Sequence, residues 1–250
     1  MIDLSGKTAL VTGGSRGIGR AAALLLARSG ADVALSYHSR AADAEVTANE
    51  IRALGRRAYV SGGDLADPQV ADQLAAGVKR EFGGLDIFVA NAGVWPAEEK
   101  RLADMSVERW RATLQANLDS VFVSARALLP LVRPGGRMVI VSSTAGQRGE
   151  AFHADYAATK GALIALTKSL AIEYAPGIVV NCVAPGWVDT EMSAPAFTPE
   201  NRARIQASIP IGRIATAEDI AGPILFLCSP LARHVTGEVL NVNGGSVLCG

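Results

Sequence analysis

Cysteine and histidine are scarce in this 250-residue chain, which contains three of each. The cysteines, Cys182, Cys228 and Cys249, are odd in number and lack paired spacing. They therefore predict no disulfide framework and favour a reducing compartment. With so few thiols and imidazoles, we expect no metal site.

The sequence also lacks an excess of charge and a long apolar run. Lysine plus arginine and aspartate plus glutamate both number 24, and this balance argues against a nucleic-acid partner. No apolar stretch is long enough to span a membrane, and the first residues do not resemble a secretory signal. We therefore expect a globular cytoplasmic protein with no membrane partner.

Short β-rich runs alternate with amphipathic segments along almost the whole chain. The candidate strands are residues 7–12, 32–37, 57–62, 86–91, 137–143, 178–184 and 237–242. The candidate helices are residues 18–29, 41–54, 68–82, 106–132, 155–174 and 216–228. Apolar strands separated by helices indicate a parallel sheet covered on both faces. The sequence predicts one doubly wound α/β domain over residues 1–250 with about seven strands, and an irregular excursion at 186–215.

A glycine-rich turn follows the first candidate strand. In "VTGGSRGIGR", Gly13, Gly17 and Gly19 lie where the strand gives way to a helix. Missing side chains at such a turn let a pyrophosphate approach the backbone and the helix N-terminus, where free N–H groups favour an anion. No Lys-Ser/Thr pair follows the last glycine, so this is not a Walker loop. A tight strand–helix turn without a ligand is the alternative.

Tyr156 and Lys160 are spaced to share one face of a helix. A neighbouring ammonium would lower the pKa of the phenol and prepare it to exchange a proton with an alcohol or carbonyl oxygen. Ser143 lies at the end of the fifth candidate strand and could hold that oxygen; strand alternation points Ser142 and Ser143 to opposite faces, so only one of the two can meet Tyr156. An ordinary surface pair on an amphipathic helix is the alternative for Tyr156 and Lys160.

Taken in order, these motifs resemble those of the short-chain dehydrogenase/reductase family. The motifs are "TGGSRGIG" (12–19), "NAG" (91–93), Ser143, "YAATK" (156–160), "PG" (185–186) and "TGEVLNVNGG" (236–245). The resemblance spans essentially the whole chain and implies a single Rossmann-type domain that moves a hydride between a nicotinamide dinucleotide and a carbonyl or alcohol carbon. It also implies roles for four residues. Tyr156 would be the general acid/base, Ser143 would polarise the carbonyl, Lys160 would bind the ribose, and Asn117 would position a water.

The residues after the second candidate strand favour NADP(H) over NAD(H). An acid expected there in NAD-preferring sites is replaced by Tyr37, while Arg16 and Arg40, with His38 and Ser39, could contact a 2′-phosphate. Solvated surface arginines are the alternative. The residues expected to contact the cofactor are Gly13, Ser15, Arg16, Gly17, Ile18, Gly19, Tyr37, His38, Ser39, Arg40, Asp64, Leu65, Asn91, Ala92, Gly93, Tyr156, Lys160, Pro185, Gly186, Val188 and Thr190.

The substrate pocket is expected on the loops after the fourth, fifth and sixth strands. Aromatic residues there favour an apolar or flat substrate over a heavily hydroxylated sugar, with 186–210 folding over it as a lid. The candidate substrate-binding residues are Trp95, Ser143, Ala145, Phe152, His153, Tyr156, Trp187 and Met192.

Within the family, the chain most resembles the bacterial 3-oxoacyl-(acyl-carrier-protein) reductases. The stretch "VWPAEEKRLADMS" after the NAG motif departs from their pattern, which leaves a general ketone reductase open. We expect a small carbonyl or alcohol substrate, which an acyl thioester would satisfy, and the resemblance implies a homotetramer. Two other interpretations are an NAD-dependent dehydrogenase of a secondary alcohol, sugar or sterol, and a non-catalytic dinucleotide-binding regulator.

Overall fold

A computed structural model describes residues 2–248, so Cys249 lies outside the described residues. Seven strands form one parallel sheet in the order β3-β2-β1-β4-β5-β6-β7. The strands are β1 (Thr8–Val11), β2 (Asp32–Tyr37), β3 (Ala58–Gly62), β4 (Leu85–Ala90), β5 (Val132–Val141), β6 (Ile178–Pro185) and β7 (Val239–Val242). The strand order reverses direction between β1 and β4, and a ligand cleft forms at the carboxyl ends of the strands beside such a reversal.

Helices cover both faces of the sheet, as the sequence predicts. They are α1 (Gly17–Arg28), α2 (Ala41–Ala53), α3 (Pro68–Phe82), α4 (Val107–Leu114), α5 (Ser120–Leu128), α6 (Thr144–Arg148), α7 (Ala154–Glu173), α8 (Pro199–Ala207) and α9 (Ala217–Cys228). Alternate residues of β1 enter different cores: Ala9 and Val11 pack with α1, α2 and α9, while Leu10 packs with α3, α5 and α7. The predicted doubly wound α/β domain is confirmed.

The helix predicted over residues 106–132 is interrupted. A π-helical turn, Gln115–Asp119, separates α4 from α5, and a short 3-10 turn follows at Leu129–Leu131. Asn117 in the π turn accepts a hydrogen bond from the Val94 amide (2.6 Å) and donates one to the Val94 carbonyl (2.9 Å). Helical periodicity does not reveal this interruption, because the bonding partner lies 23 residues away.

The fifth strand also differs from the prediction. It begins at Val132, whereas the predicted strand begins at residue 137, and the shifted register between Leu85 and Ile87 of β4 accommodates the added residues. Its last residue is Val141, so Ser143 lies beyond the strand. The Ser143 hydroxyl instead accepts a hydrogen bond from the Ala145 amide (3.1 Å) and caps α6, a helix absent from the sequence prediction.

The segment predicted as an excursion contains structure of its own. It includes α8 and a small apolar cluster of Ile205, Ile209 and Ile214, against which Trp187 and Phe197 pack. An isolated parallel bridge between Val188 and Ala215 joins the two ends of the segment. The segment therefore forms a compact layer beside the carboxyl ends of the strands.

Over residues 2–248, no helix has the length and hydropathy needed to cross a membrane. In the same range, no group of three or more histidine, cysteine, aspartate or glutamate residues could hold a metal ion.

Candidate active site

A cavity of about 640 Å³ runs along the carboxyl ends of the strands. It extends from the glycine turn after β1 to the first turns of α7. It is lined by the following predicted site residues: Gly13, Ser15, Arg16, Gly17, Ile18, Gly19, Tyr37, His38, Ser39, Arg40, Asp64, Leu65, Asn91, Ala92, Gly93, Trp95, Ser143, Ala145, Tyr156, Lys160, Pro185, Gly186, Trp187, Val188, Thr190 and Met192. The structure thus brings almost all of them to one place.

Three predicted residues are not part of this lining. Asn117 is buried behind Gly93, where it bonds to the backbone of Val94. His153 is buried behind Trp95, with the two rings stacked at 4.7 Å between centroids. Phe152 is 44% exposed and adopts a left-handed φ of 66° at the turn before α7. His153 and Phe152 therefore support the wall or face solvent, and a direct substrate contact stays a prediction for both.

The glycine turn is packed too closely to hold side chains. A Cβ on Gly19 would lie 2.2 Å from the Gly13 carbonyl oxygen and 2.5 Å from Asn91 Nδ2. The Asn91 amide side chain donates to the carbonyls of Thr12 (2.9 Å) and Gly13 (3.3 Å), and the Asn91 and Ala92 amides both donate to Thr12 Oγ1 (3.0 Å each). The "TGG" and "NAG" motifs therefore form one hydrogen-bonded unit at the switch point of the sheet.

The N-terminus of α1 fits an anionic group. Its N-cap residue, Arg16, makes no side-chain capping bond, and the first turn contains no acidic residue. The first N–H groups of the helix therefore remain available, and they favour a phosphate there. Thr190 lies close to this turn on the opposite wall of the cavity. A Cβ added to Gly17 would lie 3.5 Å from Thr190 Cγ2. The residues present thus fit a dinucleotide pyrophosphate between the turn and the segment after β6.

Two arginines converge at the end of the cavity beside β2. Arg16 Nη1 lies 2.5 Å from a Glu191 carboxylate oxygen, and Arg40 Nη2 lies 3.7 Å from the same oxygen. Arg40 also pairs with Asp43 at 3.7 Å. All four side chains are between 45% and 61% exposed, so these pairs contribute little stability. Two guanidinium groups around one carboxylate form a site of the kind that binds a phosphate.

Tyr156 contacts Ser143 in the deeper half of the cavity. Burial raises the pKa of Tyr156 to about 12, the hydrogen bond with Ser143 opposes that rise, and the negative charge of Glu150 adds to it. The lowering expected from Lys160 is not found, because the Lys160 ammonium lies 5.6 Å from the centre of the tyrosine ring and is bonded elsewhere. At neutral pH the phenol is therefore protonated, as an acid must be before it donates a proton.

Lys160 is buried, and a hydrogen bond fixes its ammonium group. Its Nζ donates to the Val141 carbonyl (2.9 Å), and Ser142 Oγ fixes the helix beneath it by donating to the Lys160 carbonyl (2.7 Å). Desolvation lowers the pKa of Lys160 to about 8. Ser142 thus bonds to the backbone of Lys160, whereas Ser143 contacts Tyr156, and both serines lie beyond the end of β5 at Val141.

This buried ammonium predicts a pH-dependent stability. Between pH 8 and 10.5 the unfolded chain holds the Lys160 proton and the folded chain releases it, so raising the pH through this window favours folding. Relative to Lys160→Met, the wild type should gain roughly 3 kcal/mol in free energy of unfolding across the window. Cys182, whose pKa burial raises to about 11, is present in both proteins and largely cancels. Denaturant unfolding at several pH values measures the difference. The exposed Lys168→Met on the same helix is the control, and parallel curves for wild type and Lys160→Met would refute the prediction.

A buried ion pair fixes the start of α7. Asp155, fully buried, accepts from Arg109 Nε (3.0 Å) and Thr113 Oγ1 (2.9 Å) on α4. Burial opposes ionisation of Asp155, yet these hydrogen bonds keep its pKa below the ordinary value. Since Tyr156 is the next residue, the pair holds the end of α7 that carries Tyr156 against α4.

Among the lining residues that the sequence did not single out, four carry a charged or amide side chain: Gln115, Arg148, Glu150 and Glu191. Gln115 donates to Asp64 Oδ2 (3.0 Å), and Glu150 accepts from Trp95 Nε1 (3.1 Å). In sequence, Glu150 lies between Ser143 and Tyr156, and Glu191 directly follows Thr190, which was predicted to contact the cofactor. Their nearness in sequence to predicted site residues could therefore have identified Glu150 and Glu191 as candidates.

Comparisons with known proteins agree with this arrangement. Residues 13–246 match the family described as enoyl-(acyl carrier protein) reductase. The chain is 41% identical to an L-rhamnose 1-dehydrogenase (NAD(P)(+)) from Sphingomonas sp. (strain SKA58), covering 97% of this chain and 96% of that protein. It is 39% identical to 3-oxoacyl-(acyl-carrier-protein) reductase FabG of Escherichia coli (strain K12), with 98% of both chains covered.

A solved structure extends the likeness to three dimensions. A short-chain dehydrogenase from Burkholderia cenocepacia J2315 in complex with NADP superposes with a TM-score of 0.91 at 40% identity, over 97% of this chain and 98% of that one. The matched family, full-length relatives and shared fold lead to one conclusion: the chain is an oxidoreductase of the short-chain dehydrogenase/reductase family.

Proposed function

We propose that this enzyme interconverts a carbonyl compound and a secondary alcohol with NADP(H), and that Tyr156 exchanges the proton. One observation carries the proposal: the uncapped N-terminus of α1 and the Ser143–Tyr156 pair line the same cavity. A dinucleotide whose pyrophosphate lies at α1 would extend toward Tyr156. The bound nicotinamide supplies or accepts the hydride at the substrate carbon.

The chain's own residues then handle the oxygen. During reduction, the Tyr156 hydroxyl donates its proton to the carbonyl oxygen, and in oxidation the phenolate takes it back. The Ser143 hydroxyl orients that oxygen toward Tyr156. Lys160, fixed by the Val141 carbonyl, is placed to hold the nicotinamide ribose. Asn117 completes the proposed set from behind Gly93, as the residue that positions a water for proton exchange.

Preference for NADP(H) over NAD(H) is part of the proposal. Arg16 and Arg40 converge at the end of the cavity, and no acid occupies position 37 to repel a 2′-phosphate. The Burkholderia relative, solved with NADP, supports the preference. The L-rhamnose relative, named for NAD(P)(+), keeps use of both cofactors as the alternative.

Replacing both arginines by alanine should weaken NADPH binding roughly ten- to hundredfold, because a hydrogen bond between charged groups contributes about 1.5–3 kcal/mol and each contribution is reduced at these half-exposed side chains. NADH binding should change by less than about threefold, since it lacks the phosphate. Fluorescence titration of both nucleotides against Arg16→Ala/Arg40→Ala measures this. Arg126→Ala, exposed on α5 and outside the cavity, is the control.

Glu191→Gln provides a second arm of the same titration. Its carboxylate occupies the arginine site in this structure, so its neutral form should tighten NADPH binding and leave NADH binding unchanged. Equal changes in the affinities for both nucleotides across these variants would refute a phosphate site at Arg16 and Arg40.

Oxidation of a secondary alcohol or sugar is the second candidate function, favoured by the L-rhamnose relative. The FabG relative favours a 3-oxoacyl thioester. Initial rates with NADPH and NADH, each supplied with a 3-oxoacyl thioester and a plain ketone, and reverse rates with an aldose, separate these functions. Binding of NADPH without turnover of any of them would favour the non-catalytic regulator.

Three further features stay predictions: the lid over 186–210, the homotetramer and the cytoplasmic location. The homotetramer is what the resemblance to the family implies, and the exposed Val107, Phe122 and Ile172 lie on α4, α5 and α7, the helices expected to pack between subunits. The three cysteines without paired spacing favour a reducing compartment and so support a cytoplasmic location.

A further inference from the structure

A carboxylate lies in the wall of the deeper half of the cavity. Glu150 follows Gly149 in the loop between α6 and α7, and its Oε1 accepts a hydrogen bond from Trp95 Nε1 (3.1 Å). Glu150 and Tyr156 line the same cavity, and the charge of Glu150 adds to the raised pKa of Tyr156. Glu150 therefore faces the same space as the reacting group.

The surroundings hold this carboxylate in place. Trp95 is stacked on His153 (centroids 4.7 Å apart, planes 22° apart) and meets the edge of Trp187 at 5.9 Å. The Lys100 amide donates to the Phe152 carbonyl (3.0 Å), which joins the loop after β4 to the loop before α7. Trp95 cannot turn away without breaking the stack, so Glu150 is preorganised for binding.

One oxygen of Glu150 has no protein partner. Oε1 is bonded to Trp95 and lies 3.6 Å from His153 Nδ1, whereas Oε2 makes no hydrogen bond with any described residue. The side chain is 24% exposed, and the residue belongs to the cavity lining. Burial raises the pKa of Glu150, and the nearby His153, Trp95 and Arg148 oppose the rise. Oε2 is therefore a fixed acceptor without a donor.

Such an acceptor discriminates between the two candidate substrate classes, 3-oxoacyl thioesters and hydroxylated compounds such as sugars. An acyl thioester has no hydrogen-bond donor near its reacting ketone. Its acyl chain would remove Glu150 Oε2 from water without giving it a hydrogen bond, and burial of an unbonded carboxylate oxygen is unfavourable. A hydroxylated ring offers a donor to Oε2, and its C–H face can lie against Trp95 and Trp187. Trp95 and Trp187 thus do not exclude a sugar, because the Glu150 carboxylate beside Trp95 favours a hydroxylated partner.

We propose that Glu150 accepts a hydrogen bond from a substrate hydroxyl next to the reacting carbon, which makes vicinal diols of the cyclic polyol or sugar class the substrates of this enzyme. The inference rests on the proposed oxidoreductase function at the same cavity. Glu150 is a specificity-determining residue, and Trp95 positions it.

The test compares cis-cyclohexane-1,2-diol with cyclohexanol as substrates for NADP⁺-linked oxidation. The wild type should have a kcat/KM for the diol at least about tenfold above that for cyclohexanol, the size of one hydrogen bond to a charged group. In Glu150→Gln the amide oxygen can still accept from Trp95, and the amide nitrogen then faces the cavity, so an acceptor becomes a donor. The hydroxyl can accept from that amide, so a neutral hydrogen bond replaces a charged one and the ratio of the two kcat/KM values should fall about fivefold. Effects on Tyr156 cancel in that ratio.

Controls separate specificity from folding. Glu173→Gln, exposed at the end of α7, should keep the wild-type ratio. Thermal melting and NADPH titration should give the same values for Glu150→Gln as for wild type. Trp95→Phe, which keeps the aromatic ring but removes the indole N–H, should also lower the ratio.

The outcomes are distinguishable. A diol preference that falls in Glu150→Gln supports the inference. An unchanged ratio in that variant overturns it, as does a wild type that reduces a 3-oxoacyl thioester and ignores the diol, although the proposed oxidoreductase function then stands. Turnover of none of the diol, cyclohexanol, cyclohexanone and the thioester overturns both.

Discussion

Tyr156→Phe should lower kcat roughly thousandfold, within the range that proton transfer by a positioned side chain contributes. The change removes only the phenol oxygen, while the ring keeps its place above Lys160. Because the substrate oxygen then receives no proton from the protein, the loss should fall on kcat rather than on NADPH affinity. Steady-state rates with the best substrate, together with nucleotide titration, measure both quantities.

Tyr174→Phe is the matched control. Tyr174 follows the other end of α7, outside the cavity, and loss of its hydroxyl should leave kcat within about twofold of wild type. If Tyr156→Phe retained more than a tenth of the wild-type kcat, the proposed proton donor would have to be another group. A large fall in NADPH affinity would instead assign Tyr156 to cofactor binding.

Gly19→Ala should weaken NADPH binding by about a hundredfold or more, because a Cβ cannot lie 2.2 Å from the Gly13 carbonyl oxygen. The glycine turn must open, which moves the N-terminus of α1 and strains the bonds from Asn91 to the turn. Overpacking of this kind costs about 1–3 kcal/mol, or a lowering of the melting temperature by roughly 2–10 °C in a chain of this size.

Melting curves with and without NADPH separate the two effects. The wild type should melt at a higher temperature with NADPH, whereas Gly19→Ala should show almost no shift. Gly177→Ala is the control, since its added Cβ would meet only the Tyr174 carbonyl oxygen at 3.4 Å and it does not adopt a left-handed φ. A normal NADPH shift in Gly19→Ala would mean that the pyrophosphate lies elsewhere.

Local pattern predicted most of the fold. Strands β2 and β6 and helices α2 and α3 lie within one or two residues of their predicted ranges, because a buried parallel strand is a short apolar run and a surface helix has a 3.6-residue period. The errors occur where distant contacts override the pattern. The π turn forms because Asn117 bonds to Val94, and β5 begins early because it pairs with β4 across a shifted register.

The candidate site divides in the same way. Gly13, Gly19, Tyr156 and Lys160 could be named from sequence, since turn geometry and the i,i+4 spacing are local properties of the chain. The raised pKa of Tyr156 could not, because spacing shows neither where the Lys160 ammonium lies nor how far burial desolvates the phenol.

By itself, the amino-acid sequence determined the fold class, the family and the set of chemical groups, because each depends on residue types at fixed spacings along the chain. Tertiary structure alone decided which of these groups share the cavity and which of their polar atoms are left without a hydrogen-bond partner. Glu150 and Trp95 are 55 residues apart, yet a 3.1 Å hydrogen bond joins them and leaves one carboxylate oxygen open. Such contacts depend on how the loops after β4 and α6 meet, and the substrate choice that we propose depends on them.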